Sequence, residues 1–411
     1  MKQIHIAWFS QPQHPHVNPT LPVVGSLVRR GFRVTYVTAK LFGSRVAALG
    51  AEVVYCPLYL DIVAKAQKSE LPRVFCQLAT EALTAVTEFY ENDKPDLIIC
   101  DFVSFAGRIL ANRWKIPLIQ TSPHFAFSRE YLDRQMTDSA FRREILHYSA
   151  QADRFLEQHG VHSDGFLFHR EKLNIHFFPR IFEPCDDALD TSVFHAGRCA
   201  GEQPYYGNWE RTHDDGRPIA LITTSTTYLQ GTEHLKLCIE ALAGLEWHVV
   251  LSVGYSGETS GFPALPPGFE IVQRQPHVKI LRHATLFVCL GGTCSIAEGA
   301  YHGVPTIITS YDYPEQSYFG ERFESLGLAV HLRKGDMTAE NLRRAALRIT
   351  HDSAFLDRVS RIRRITQQSA GGEETSTKIE EFLEQHGVWR MGPMTNKPHG
   401  SGDRANEAVE M

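Results

Sequence analysis

The stretches "DLIICDFVSFAGRILANRWKIPLIQTS" (residues 96–122) and "TLFVCLGGTCSIAEGAYHGVPTIITS" (residues 285–310) share one plan. Each opens on an apolar run, passes through a short loop into a segment of helical spacing, and ends on an Ile-Pro or Val-Pro pair that leads into a second apolar run. A strand, a crossover helix and another strand joined in this way build a parallel sheet. The plan occurs once in each half of a 411-residue chain, too long for one ordinary core. Two doubly wound α/β domains in tandem are therefore expected, each with its binding rim at the carboxyl ends of its strands and a cleft between the rims.

Working outward, the first half offers strand-like runs "IHIAWF", "RVTYVT" and "EVVY", with helical patterns such as "VVGSLVRRG" and "VFCQLATEALTAVTEFY" between and after them. "SREYLDRQMTDSAFRREILHYSAQADRFLEQHG" reads as helical. "AGEQPYYGNWERTHDDGR" (200–217) has turn formers and no sustained period, and reads as a linker. The alternation restarts with "PIALITTST", "HLKLCIEALAGL", "WHVVLSV" and "FEIV". The expected organisation is a first domain over 1–200, a linker over 201–217, a second domain over 218–390 and a polar, disordered tail over 391–411. The last helix, "TSTKIEEFLEQHG", carries Ile379, Phe382 and Leu383 on one face and is expected to pack back on the first domain.

Composition narrows the function classes. A net charge of -5 argues against a nucleic-acid partner. No apolar window reaches the ~18 residues of a membrane span. The N-terminus lacks a signal-peptide pattern. The eight cysteines form no CxxC pair, and several lie inside apolar runs, so buried free thiols and a reducing cytoplasm are expected.

Candidate chemistry gathers at the rims. In "QPQHPHVNPTLPVV" (11–24), His16 follows the first strand, with Asn18 as a helix N-cap and Pro19 as the first helical residue; His14 reads as an exposed loop residue. Asp101 follows the strand "DLIIC" and can orient an imidazole at a neighbouring rim, or simply cap the next helix. In "LGGTCSIAEGA", Gly291 and Gly292 allow close backbone approach, and Thr293 and Ser295 bring hydroxyls to a helix start. Free amides and the macrodipole there favour a phosphate or pyrophosphate, although an ordinary Gly-rich turn has the same pattern. Glu298, on the same helix, is in reach of ribose hydroxyls or is a solvated charge. Glu315 and Gln316 of "DYPEQSYF" suit bidentate bonding to vicinal sugar hydroxyls, or begin a helix. HExxH metal spacing and the GxSxG elbow are absent from the sequence.

Taken together, these motifs resemble the family 1 nucleotide-sugar-dependent glycosyltransferases of the GT-B fold, in particular their bacterial macrolide-glycosyltransferase branch. The resemblance rests on "QHPHVNPTL", "LIICDFVS", "RQPHVKILRHATLFVCLGGTCSIAEGAYHGVPTIITSYDYPEQ" and "AGGEETSTKIEEFL". It implies that His16 is a general base oriented by Asp101. It also implies a donor site formed by Thr224, Ser225, Arg274, His277, Gly291, Gly292, Thr293, Ser295, Glu298, Glu315 and Gln316. Leu290 stands where the family usually has a histidine, Arg274 where it has a tryptophan, and His277 where it has a glutamine. The acceptor is expected on the first half, against Phe75, Phe102, Phe125 and Phe127. The implied reaction is an inverting, metal-independent transfer of a hexose to a lipophilic polyketide, macrolide or phenol, with no cofactor beyond the nucleotide-sugar co-substrate. UDP-glucose is favoured over a dTDP-sugar, and a monomer or homodimer is expected. A catalytically silent auxiliary protein and a nucleotide-sugar epimerase or hydrolase of the same fold stay open as alternatives.

Overall fold

The computed structural model describes residues 3–56, 71–135, 139–163, 165–184, 191–199, 209–211, 216–224, 231–253, 265–273, 277–311 and 314–388. Most of the expected linker and the whole expected tail lie outside them. The first half supplies strands β1 (His5–Phe9), β2 (Arg33–Thr38), β3 (Glu52–Tyr55), β4 (Leu97–Asp101), β5 (Leu118–Ser122), β6 (Asn174–His176) and β7 (Val193–His195). These pair in parallel in the order β3-β2-β1-β4-β5-β6-β7. The second half supplies β8 (Ile219–Thr223), β9 (His248–Val253), β10 (Phe269–Gln273), β11 (Ala284–Cys289), β12 (Thr306–Ser310) and β13 (Ala329–Arg333). They make a second parallel sheet, in the order β10-β9-β8-β11-β12-β13.

The central strands β1 and β8 are buried along their whole length, as expected where helices cover both faces of a parallel sheet. Strand order reverses beside each of them. β1 lies between β2 and β4, and β8 lies between β9 and β11. The carboxyl ends at these switch points are where open α/β sheets bind ligands. The sequence reading omitted β6, β7 and β13. "NIH" and "VFH" are too short to show a period, and the edge strand "AVHLR" has polar residues breaking its apolar run.

The contacts between the halves include two apolar ones. The first is an aromatic seam. Phe125, Tyr131, Phe178 and Phe182 of the first half meet the helix Pro314–Ser325 of the second, with centroid distances of 5.2 Å for Phe125–Phe319, 5.4 Å for Tyr131–Tyr318, 5.8 Å for Phe178–Phe319 and 4.6 Å for Phe182–Phe323. Phe125 is 1% exposed here. This corrects its expected acceptor role, because a ring spent on the seam has no surface left for a ligand.

The second contact is the helix Gly371–Gln385, which returns to the first half and lies on the helix Leu21–Arg29. Ile379, Phe382 and Leu383 share a buried cluster with Leu21, Val24 and Leu27. At the edge of this contact, Glu373 accepts hydrogen bonds from Ser26 at 2.7 Å, Arg29 at 2.6 Å and Arg30 at 3.0 Å, and Arg30 also reaches Glu380 at 2.7 Å. Desolvation works to raise the Glu373 carboxyl, but the bonds from Ser26, Arg29 and Arg30 outweigh it and bring it from 4.5 down to about 2.

A depressed carboxylate stabilises the fold above its unfolded pKa and loses that contribution as pH falls through the folded value. Glu373 is largely exposed, so solvent screening limits the effect. In urea unfolding, Glu373→Gln should cost no more than about 1 kcal/mol at neutral pH. The gap between wild type and variant should close as pH drops from 4.5 towards about 2. A gap that widened on acidification would contradict the assignment.

Candidate active site

Adjacent parallel strands end at one rim, so the residues that follow them meet. β1 pairs with β4 through Phe9 and Cys100, and β4 pairs with β5 through Asp101 and Thr121. After β1, the chain enters a helix at His14, earlier than the sequence suggested. Pro15 fits its first turn, where a missing N–H costs nothing. Asn18 is therefore not an N-cap: its backbone is helical, and its side-chain oxygen accepts from Arg45 at 3.3 Å. His14 is helical too, with its ring against Phe42 at 5.0 Å.

His16 Nδ1 lies 2.7 Å from Asp101 Oδ2, and both side chains are buried. The other Asp101 oxygen, Oδ1, accepts the Val103 N–H at 3.1 Å, which fixes the carboxylate. Asp101 does not cap the following helix, which begins at Phe105. A carboxylate only accepts, so His16 Nδ1 donates its proton to it, and in the neutral ring the lone pair is then on Nε2. The Phe102 ring stacks on His16 with centroids 6.1 Å apart and planes 15° apart. This pair can take a proton from a hydroxyl and stabilise the imidazolium that results.

The third rim position holds a residue the sequence reading missed. His124, in the turn after β5, stands edge-on to His16 at 5.6 Å and edge-on to Phe102 at 6.0 Å. Its Nδ1 lies 2.8 Å from Thr293 Oγ1, across the boundary between the halves. Burial first, then the electrostatic influence of His16 and of the Arg198 guanidinium, push His124 down to about 3, so its ring is neutral at working pH. The rim argument that singled out His16 and Asp101 applies equally to "SPHF" after β5, and would have found it.

On the facing rim, β11 leads into Leu290, Gly291 and Gly292 and then the helix Thr293–His302. Gly291 has φ +81°, and a Cβ there would meet Ile308 Cγ2 at 2.9 Å and the Gln316 carbonyl at 3.2 Å, so only glycine fits. That approach brings the two donor motifs together. Beside Gly292, by contrast, a Cβ would meet nothing within 4 Å. The helix start is thus open at Gly292, with Ser295 partly exposed on its first turn. Leu290 is buried and offers no polar group.

The remaining donor candidates divide. Thr293 is taken up by His124, and Glu298 pairs with the buried Arg198 rather than facing an open cleft. His277 bonds Ser252 Oγ at 2.9 Å, and burial lowers its pKa, with Glu298 opposing the shift. Thr224 follows β8 at the second switch point, and its N–H is 3.3 Å from the Ser252 carbonyl. Ser225 and Arg274 lie outside the described residues. Glu315 keeps a partly exposed surface, yet desolvation pushes its carboxyl up to about 7. Gln316 beside it is buried. Of the aromatic candidates, only Phe102 touches His16; Phe75 rests on Tyr148 at 6.0 Å, and Phe127 on Phe125 at 4.5 Å. Among the described residues, no group of three or more His, Cys, Asp or Glu is arranged to hold a metal ion.

Residues 236–382 match the family described as Erythromycin biosynthesis protein CIII-like, C-terminal domain. The chain is 34% identical to the NDP-glycosyltransferase YjiC of Bacillus licheniformis, over 93% of this chain and 99% of that protein. It is 30% identical to the oleandomycin glycosyltransferase of Streptomyces antibioticus, over 97% and 95%. Among solved structures it is similar to the calicheamicin glycosyltransferase CalG4, with a TM-score of 0.77 and 29% identity, covering 94% of this chain and 99% of that one.

Gly291→Ala should destabilise the fold by about 1–3 kcal/mol, because left-handed backbone and overpacking add in one residue. Gly292→Ala, with open space around it, should cost less than about 1 kcal/mol. Chemical denaturation of both variants tests this, and equal losses would mean that the crowding at Gly291 is absent.

Proposed function

Since the chain belongs to the family 1 nucleotide-sugar-dependent glycosyltransferases of the GT-B fold, macrolide-glycosyltransferase-like, we propose that it moves a hexose from a nucleotide sugar to a hydroxyl of a lipophilic small molecule, with inversion and with His16 as the base. The observation that carries this reading is the Asp101–His16 pair, its free Nε2 at a rim that faces the open helix start at Gly292.

In this mechanism the acceptor hydroxyl docks against His16 Nε2. As its oxygen bonds to the anomeric carbon, the bond from that carbon to the diphosphate oxygen breaks and the hydroxyl proton passes to Nε2. Asp101, already accepting from Nδ1, stabilises the new cation. The displaced electron pair leaves on the diphosphate, whose charge is met by the amides of the helix Thr293–His302 and the Ser295 hydroxyl. Attack opposite the leaving group inverts the anomeric centre. Amide and dipole stabilisation replaces a cation in this scheme. The acceptor is a polyketide, macrolide or phenol that rests near Phe102.

The favoured donor is UDP-glucose. Glu315 and Gln316 would bind vicinal hydroxyls, and a deoxygenated dTDP-sugar would leave those buried polar groups unpaired.

His16→Ala should lower transfer about 10²–10⁴-fold while the fold is retained, with Asp101→Asn milder. Turnover of UDP-glucose with a phenolic acceptor measures it, and a His16→Ala enzyme at wild-type rate would falsify the mechanism. The raised Glu315 carboxyl supplies a pH signature. As pH falls through about 7 the group takes up a proton and stops accepting two sugar hydroxyls, so the donor KM should rise. Glu315→Gln should remove that dependence. A preference for deoxy-sugar dTDP donors in competition assays would count against UDP-glucose.

A further inference from the structure

His16 and the helix start at Gly292 belong to different halves of the chain, so in-line attack needs something that sets the distance between them. Reacting atoms must approach to about 3–3.5 Å with aligned orbitals, and small misplacements are costly. The aromatic seam and the last helix hold the halves together. At the rims, beside the Arg198–Glu298 pair, one loop makes the link.

That loop is the turn after β5. His124 Nδ1 is 2.8 Å from Thr293 Oγ1, and the preceding Pro123 carbonyl is 3.8 Å from Cys294 Sγ. Two successive residues of the first half thus dock on the first two residues of the helix Thr293–His302. The same imidazole meets the His16 ring edge-on at 5.6 Å, opposite in kind to the flat stacking of Phe102. His124 itself is anchored from behind, its N–H bonded to Ser122 Oγ at 3.1 Å. One ring therefore touches both the base and the start of the anion-binding helix.

We propose that His124 is a positioning residue that sets the register between the general base and the donor-binding helix, through its hydrogen bond to Thr293 and its edge contact with His16. The proposal rests on the reading of His16 as the base. A neutral imidazole suits the task. It keeps one donor and one acceptor nitrogen, and the Thr293 hydroxyl complements either tautomer. A cation there would oppose the positive charge that His16 gains during proton transfer. Because the bond spans the two halves, it ties the place of the base to that of the helix start.

The test uses full-length protein with UDP-glucose and the phenol umbelliferone as probes, together with calorimetric binding of UDP alone. The UDP contacts proposed above all lie in the second half, so His124→Phe should leave UDP affinity unchanged while lowering kcat on the order of 100-fold. His124→Asn, which can place an amide atom near Nδ1, should recover most of that loss. Thr293→Val should reproduce the His124→Phe defect from the other side, and the double variant should be no worse than the poorer single one, since both remove the same bond. Wild-type kcat in His124→Phe, losses that multiply in the double variant, or a matching fall in UDP affinity would each overturn the proposal. Thermal melting of Thr293→Val and His124→Asn guards against misfolding of the phenylalanine variant. If the wild type itself neither binds UDP nor transfers glucose, the functional reading fails instead.

Discussion

The candidate site residues are divided between the two sheets, and the constraint on the proposed mechanism is that two rims face each other at a fixed distance. The seam around Phe125 and Phe319 is one source of that constraint. Large aromatic rings bury about 150–250 Å² each, and their edge-to-face contacts add direction to that burial. Tyr131 on Tyr318, Phe178 on Phe319 and Phe182 on Phe323 repeat the contact along one helix of the second half, Pro314–Ser325. The same helix carries Glu315 and Gln316 in its first turn, so the surface that fixes the halves also fixes the sugar-binding candidates.

Much of this was legible in the sequence, and the misses have physical causes. Apolar runs bounded by turn formers located ten of the thirteen strands among the described residues, because buried parallel strands are continuous in hydrophobicity. β6 and β7, three residues each, cannot display a period, and β13 is an edge strand with histidine and arginine in its run. His16 and Asp101 were found by their places at strand ends, which neighbouring parallel strands bring together. Their hydrogen bond was not visible, since contact is a property of register. Phe125 was misread because an aromatic side chain near a rim looks the same in sequence whether it faces a ligand or a second domain. Glu298 was read as a ribose-binding residue or a solvated charge because nothing local marks Arg198, a hundred residues earlier, as its partner.

Desolvation recurs across the cleft, and it acts in opposite directions on different groups. It raises Glu315 to about 7 and lowers His124 to about 3, in each case by penalising the charged form. Both groups therefore face the reaction space closer to neutral than they would in water. In the proposed reaction a cleft that resists fixed charge on its walls would favour charge that arrives with the substrates, and the open amides at Gly292 would meet it with a dipole that carries no counterion of its own.

The return of the last helix has a consequence for recombining such proteins. Residues 371–385 follow the whole second sheet in sequence, yet Ile379, Phe382 and Leu383 complete the core of the first. A chimera made with one junction after Cys199 would give the first half a foreign lid over Leu21 and Val24, at about 1.5–3 kcal/mol for each large apolar side chain left mismatched. Exchange of second halves between relatives is therefore a two-junction problem: the incoming segment has to stop before Gly371, so that the native helix comes home with its own partner.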